Sequence, residues 1–142
     1  MTSSYFATLG FSFPVALGAK VACPDRPVVS ITGDGGFMYA LPELATAVHY
    51  NIGVVVVVFV DNAFGASNND QRTRFQGREI GTNLYNPSFA EVARAFGAQG
   101  IRTEPERLDR VLQEALGSGK PTVIEVPVPT RVPPFQIQPR TN

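Results

Sequence analysis

The sequence predicts a single α/β domain: a doubly wound parallel sheet with helices on both faces. Three observations carry this. The run from Gly53 to Val60 holds six valines and a phenylalanine without alternation, the pattern of a central parallel strand covered on both sides. Shorter strand-like runs, Pro27-Val28-Val29-Ser30-Ile31-Thr32 and Pro121-Thr122-Val123-Ile124-Glu125-Val126, alternate with stretches of helical period. The chain is 142 residues long, which suits one domain with a substantial core.

In order, Pro14 fits a first helical turn, and Val15, Leu17, Ala19 and Val21 lie in a small-residue helix that Pro24 stops. The first strand then delivers Gly33. After Gly33-Asp34-Gly35-Gly36, read as a turn, Pro42 suits another first turn, and Leu41, Leu44, Ala45 and Val48 repeat at helical spacing. The valine strand follows and ends at Asp61. Residues 61–85 are polar and aperiodic, so a long connection is expected there, folded over a bound ligand and poorly ordered without one. Its Arg72, Arg74 and Arg78 read equally as solvated side chains or as contacts to a substrate or subunit. Asn86-Pro87 can cap a helix with the stripe Phe89, Val92, Ala93 and Phe96, ended by Gly97. After a short strand around Ile101, Thr103 and Glu106 have capping-box spacing ahead of Leu108, Val111, Leu112 and Ala115, and Gly117 closes that helix. Beyond residue 126, Pro127, Pro129, Pro133 and Pro134 fit an extended tail, 127–142.

Composition narrows the function classes. Apolar residues are 44% of the chain and charged residues 17%, the balance of a globular protein. Twelve basic and twelve acidic side chains cancel, and no basic stripe points to nucleic acid or an anionic membrane. No apolar run approaches the roughly 20 residues of a membrane span, and the first residues lack signal-peptide character, so a cytoplasmic protein is expected. Cys23, the single cysteine, excludes an internal disulfide and reads as a small hydrophobe at a helix end. His49, the single histidine, lies near a helix end, where a surface role is expected.

The chemistry concentrates between Gly33 and Gly65. Glycines at a strand exit let backbone N–H groups approach an anion, and the following helix adds a positive dipole end. Asp34 stands inside that cradle, where a phosphate would repel it. Asp61 ends the next strand, and parallel strands open on the same edge of the sheet, so two acids and the glycines converge. Two carboxylates about 4 Å apart repel by about 4 kcal/mol at an effective dielectric near 20. A divalent cation reverses the sign of that interaction, and Mg²⁺ is commonly held by one or two carboxylates with phosphate oxygens and water. The pattern therefore reads as a site for Mg²⁺ and a diphosphate.

These residues also carry a resemblance. Gly33-Asp34-Gly35, followed by a strand ending in an Asp/Asn pair, resembles the diphosphate-binding motif of thiamine diphosphate enzymes, in particular the acetolactate synthase, benzoylformate decarboxylase and pyruvate decarboxylase group. Leu9-Gly10-Phe11-Ser12-Phe13-Pro14, Pro24-Asp25-Arg26-Pro27-Val28, Asn86-Pro87-Ser88-Phe89 and Phe96-Gly97-Ala98 extend the likeness over nearly the whole chain. It implies that residues 1–126 form the thiamine diphosphate- and Mg²⁺-binding domain. Asp34 and Asp61 fall on the side-chain metal ligands and Ala63 on the carbonyl ligand. The family commonly has Asn at both positions of the pair, so Asn62 is the alternative to Asp61. Leu9 falls where an apolar residue props the bent cofactor, and the Ala7 carbonyl where its aminopyrimidine is contacted. Gly33, Gly35, Gly36, Phe64 and Gly65 complete the expected cofactor contacts.

The resemblance further implies thiazolium chemistry on a 2-oxo acid, by decarboxylation or carboligation, in an oligomer or with a partner chain. The family's activating glutamate lies on a separate pyrimidine-binding domain that this chain lacks. Glu43 matches no such position, and no residue here is assigned as catalytic. The functional expectation is thus a half-site, one subunit of a split enzyme or a fragment of a longer one. A non-catalytic cofactor-binding or assembly module is the competing class. A dinucleotide-binding domain would also place a glycine turn before an acid, but Met38 stands where its third glycine belongs. A phospho-receiver domain needs a lysine at a late strand's end, whereas Lys120 precedes its strand and Lys20 is helical. The plainest reading makes Gly33 a tight corner and Asp34 its cap.

Overall fold

The computed structural model describes residues 8–130. Four parallel strands form one sheet in the order β1-β2-β4-β3: β1 (Val29–Gly33), β2 (Val55–Val60), β3 (Gln99–Arg102) and β4 (Thr122–Pro127). Six α-helices connect or precede them: α1 (Ser12–Ala22), α2 (Asp34–Ala40), α3 (Glu43–His49), α4 (Gly65–Arg74), α5 (Phe89–Ala95) and α6 (Leu108–Ser118). The expected doubly wound parallel sheet is present. The valine run is the central strand β2, and Val54 through Val58 are all buried.

Alternate valines of β2 feed opposite cores, as the two-residue period of a strand requires. Val54, Val56 and Val58 face α1, α2, α3 and α5 through Phe13, Leu17, Phe37, Leu44, Ala47, Phe89 and Ala93. Val55 and Val57 join Ile124 and Val126 beneath Val111 and Ala115 of α6. Phe37 is the hub of the larger core, with its ring 5.7 Å from Phe13 and 5.5 Å from Phe89. Because it stands three residues after Asp34, its burial also fixes the helix that carries that acid. On the second face α6 covers β2 and β4, while Ile31 of β1 stays 66% exposed.

Several element ends differ from expectation. The glycines after Gly33 are not a loop: α2 begins at Asp34, so Gly35 and Gly36 lie in its first turn. In α3 the buried positions are Leu44 and Ala47, with Ala45 exposed, because the helix starts at Glu43 and its phase is set by the sheet. The segment read as an aperiodic connection contains α4, with an antiparallel bridge between Ala63 and Asn83 beside it. The cap of α5 is Ser88, whose hydroxyl accepts from the Glu91 N–H at 3.4 Å; Asn86 is engaged elsewhere. No capping box forms at Thr103, which is buried and precedes a single 3₁₀ turn, Pro105–Arg107. The left-handed glycine that ends α6 is Gly119, at φ 65°, not Gly117. Cys23 caps the C-terminus of α1 as an exposed side chain. The chain stays attached to the sheet past residue 126, with the Val128 N–H donating to Val60 O and the Thr130 hydroxyl to Asp61 O. Among the described residues no helix is long and apolar enough to cross a membrane.

Candidate functional site

The register of the sheet places the ends of β1 and β2 side by side, with Gly33 opposite Phe59. Past that pair β1 runs directly into α2 and β2 into Asp61. A cavity of about 720 Å³ opens at this edge, within the usual range for small-molecule and cofactor sites. Leu9, Gly33, Asp34, Gly35, Gly36, Asp61, Ala63, Phe64 and Gly65 all line it. Ala7, the remaining residue expected to touch a cofactor, lies outside the described residues. Asn62 does not line the cavity.

Asp34 is 2% exposed, and its carboxylate is held by three donors. Oδ1 accepts the Gly35 N–H at 2.8 Å; Oδ2 accepts the Asn62 N–H at 2.8 Å and the Asn86 side-chain amide at 2.7 Å. All three donors are neutral, and no cationic side chain among the described residues pairs with Asp34. Burial accordingly pushes the Asp34 carboxyl above its ordinary value, and the Asp61 charge adds to that, while the Gly35, Asn62 and Asn86 bonds pull it down. The hydrogen bonds of this side chain are nearly complete; its charge is not compensated.

The corner after β2 explains how Asn62 reaches Asp34. Asn62 adopts φ 57°, a left-handed conformation that asparagine tolerates better than other non-glycine residues. This turns its N–H toward Asp34, while its carbonyl accepts from the Leu84 N–H at 2.8 Å. Its side-chain oxygen accepts from Asn86 at 3.0 Å. Asp61 Oδ1 accepts from the Ala63 N–H at 3.2 Å. The bonds that flank the Ala63–Asn83 bridge run from Phe64 N to Thr82 O and from Leu84 N to Asn62 O, so the bridge itself does not engage the Ala63 carbonyl, and among the described residues no backbone donor reaches it.

Gly35, Gly36 and Gly65 are all closely approached; a Cβ on Gly36 would stand 2.9 Å from Thr32 Oγ1. A Cβ on Gly35 would stand 2.6 Å from the Phe64 ring, which seals one side of the cavity. A Cβ on Gly65 would stand 3.3 Å from Asp61 Oδ2 and crowd that carboxylate. Gly33, by contrast, has open space in front of it. A bulkier residue there would project into the cavity.

Within residues 61–85 lies a polar clasp that has no periodic signal in the sequence. Asn68 of α4 is 2% exposed and donates to Glu79 at 2.7 Å and Thr82 at 3.0 Å. Gln71 holds Ile80 and Thr82 through three further bonds. The arginines are used within the segment: Arg72 pairs with Glu79 at 2.7 Å, Arg74 with Asp70 at 3.5 Å, and Arg78 donates to Phe75 O. Also not assigned to the site from the sequence were Asn86, read as a helix cap and as part of a flanking family motif, and Glu125. The buried Glu125 carboxylate accepts from Ser88, the Ala90 N–H and Arg102.

The donor set suits a divalent cation accompanied by an anionic ligand. No three His, Cys, Asp or Glu side chains among the described residues cluster as an all-protein metal cage. Two acids and a free carbonyl at one cavity match a cation that takes its other oxygens from phosphate and water.

The family described as "Thiamine pyrophosphate enzyme, C-terminal TPP binding domain" matches residues 1–126. The chain is 37% identical over 140 residues to the mitochondrial acetolactate synthase catalytic subunit of Aspergillus candidus, covering 98% of this chain and 20% of that protein. It is 37% identical over 133 residues to the sulfoacetaldehyde acetyltransferase of Castellaniella defragrans, covering 87% and 22%. The crystal structure of benzoylformate decarboxylase from Polynucleobacter necessarius superposes with a TM-score of 0.80 at 28% identity, covering 92% of this chain and 25% of that one. The chain thus spans a fifth to a quarter of the length of these relatives. The parallel sheet, the cavity at its edge and these matches lead to one conclusion: the chain belongs to the thiamine diphosphate (pyrophosphate) enzymes, as their C-terminal cofactor-binding domain.

Proposed function

We propose that this chain binds the diphosphate of thiamine diphosphate through Mg²⁺ and forms one half of an active site acting on 2-oxo acids. The observation that carries the reading is Asp34: a buried carboxylate at a cofactor-sized cavity, hydrogen-bonded by neutral donors and left without a counter-charge. A divalent cation is the counter-charge this arrangement accepts, with Asp61 and the Ala63 carbonyl as further ligands. When bound, the cofactor supplies a carbon nucleophile and an electron sink for 2-oxo acid chemistry.

The share of this chain is anchoring and orientation. Gly33 leaves room at the end of β1, Gly35 admits the Phe64 ring, and Leu9 offers an apolar contact at the cavity mouth. Residues 61–85 cover one side. Among the described residues the cavity lining holds no third ionisable group to serve as the activating acid, and the exposed Leu9, Phe11 and Ile31 leave an apolar rim of the kind a second domain covers. Completion by a pyrimidine-binding domain, from a partner chain or from more of the same polypeptide, follows from this reading, as does an oligomeric assembly.

Calorimetry with thiamine diphosphate and MgCl₂ tests it. Wild type binds, and Asp34→Ala weakens binding by on the order of 100-fold, about 2.7 kcal/mol. Equal binding by the two proteins removes Asp34 from the site. Mixing with a pyrimidine-domain protein is the second arm: 2-oxo acid turnover that appears only in the mixture supports a half-site. Binding without turnover in any mixture favours the non-catalytic module.

A further inference from the structure

Asn86 spends both hydrogens of its side-chain amide at the site, one on Asp34 Oδ2 at 2.7 Å and one on Asn62 Oδ1 at 3.0 Å. It lies 52 residues from Asp34 in sequence and outside the cavity lining. The Asn62 N–H takes the other position on Oδ2, at 2.8 Å. A carboxylate has about four lone-pair positions. Two donors occupy Oδ2 and one, the Gly35 N–H, occupies Oδ1, so a single position remains, on Oδ1.

We infer that Asn86 sets the ion selectivity of the site by keeping Asp34 a one-oxygen ligand. This rests on the reading that Asp34 holds a divalent cation. Mg²⁺ requires six oxygens in a near-ideal octahedron, whereas Ca²⁺ takes six to eight and readily accepts both oxygens of one carboxylate. Blocking Oδ2 therefore favours the smaller ion. Without Asn86, Oδ2 regains a free position and the carboxylate can turn to present both oxygens. Asn86 is then a positioning residue, itself placed by the chain that enters α5, where Ser88 and the Ala90 N–H are tied to Glu125.

The test is titration of the full chain with MgCl₂ and, separately, CaCl₂ at saturating thiamine diphosphate, for wild type, Asn86→Ala, Asn86→Ser and Asp34→Ala. The readout is the ratio of the two dissociation constants, which loss of folded protein does not move. Asn86→Ala is expected to shift that ratio toward Ca²⁺ by about tenfold. Asn86→Ser, with one hydrogen left to donate, is expected to shift it by less, and it carries the test should the alanine variant fail to fold. An unchanged ratio in the folded Asn86 variants, with both ions lost in Asp34→Ala, overturns the role of Asn86 and leaves the site intact. Wild-type binding of both ions by Asp34→Ala overturns the site itself.

Discussion

Asp34 and Glu125 are the two acidic side chains buried among the described residues, each 2% exposed and each accepting three hydrogen bonds. They differ in one donor. Glu125 receives Arg102 Nη1 at 2.8 Å with the Ser88 hydroxyl and the Ala90 N–H, so its charge is answered inside the fold and it ties β4, α5 and β3 together. Asp34 receives only neutral N–H groups, and burial, with a smaller push from Asp61, raises its carboxyl above the ordinary value. Burial of a carboxylate alone does not mark a ligand site. An uncompensated charge at the wall of a cavity does, because an ionised group deep in protein is costly without a partner.

The sharpest way to break this contrast is to remove each acid in turn. Glu125→Ala strands the Ala90 N–H and the Ser88 hydroxyl and should lower stability by about 2 to 3 kcal/mol, read as a fall in thermal midpoint. The folded fraction should keep its affinity for thiamine diphosphate and Mg²⁺. In Asp34→Ala the truncated side chain itself lines the cavity, so water can enter to meet the freed donors, and the melt should move by less than about 1 kcal/mol although ligand binding weakens by about 100-fold. If Glu125→Ala abolished binding while leaving the melt in place, the two acids would have exchanged roles.

A smaller effect sharpens the picture of the cavity wall. Gly35→Ala gains helix propensity of about 0.8 to 1 kcal/mol but drives a methyl against the Phe64 ring, an overpacking that costs about 1 to 3 kcal/mol. A net loss of about 1 kcal/mol is expected, recovered when Phe64→Ala is added. Recovery in the double variant, measured by chemical denaturation, separates this clash from a propensity effect.

The smallest effect concerns the clasp over residues 65–82. The Arg72 and Asn68 bonds hold the Glu79 carboxyl below its ordinary value of 4.5. A depressed folded value means that the bond stabilises fully above the unfolded value and is lost as the pH falls through the folded one. The stability difference between wild type and Glu79→Gln should therefore narrow as the pH falls below 4.5. The difference between variants isolates this group from Asp34, whose raised value acts with the opposite sign. A gap independent of pH would show that Glu79 contributes through its shape alone.

Much of the fold was legible because apolar period and strand composition are local signals. β2 could be read from its valines, and the glycines and acids of the site were read from their places at strand ends. Helix α4 was not legible: Gly65 to Arg74 buries one residue, Asn68, so no apolar stripe exists to be seen. It is fixed by polar bonds to Glu79 and Thr82. Asn86 beside Pro87 looks like a helix cap because capping is a local act. Asp34 becomes its neighbour only after β1, β2 and the intervening helices have folded.

By itself the sequence determined the parallel α/β architecture, the edge at which the site opens and nine of the nineteen residues that line the cavity. The architecture, the glycines after β1 and the two acids follow from side-chain period and from the termini of strands, which are properties of contiguous residues; Leu9, Ala63, Phe64 and Gly65 came from the family resemblance. Tertiary structure alone decided which buried acid receives a counter-charge. Arg102 and Glu125 are 23 residues apart, and Asn62 and Asn86 reach Asp34 across 28 and 52. Contacts at such separations leave no periodic trace in the chain, because they depend on strand order, and strand order is set by how the two cores pack.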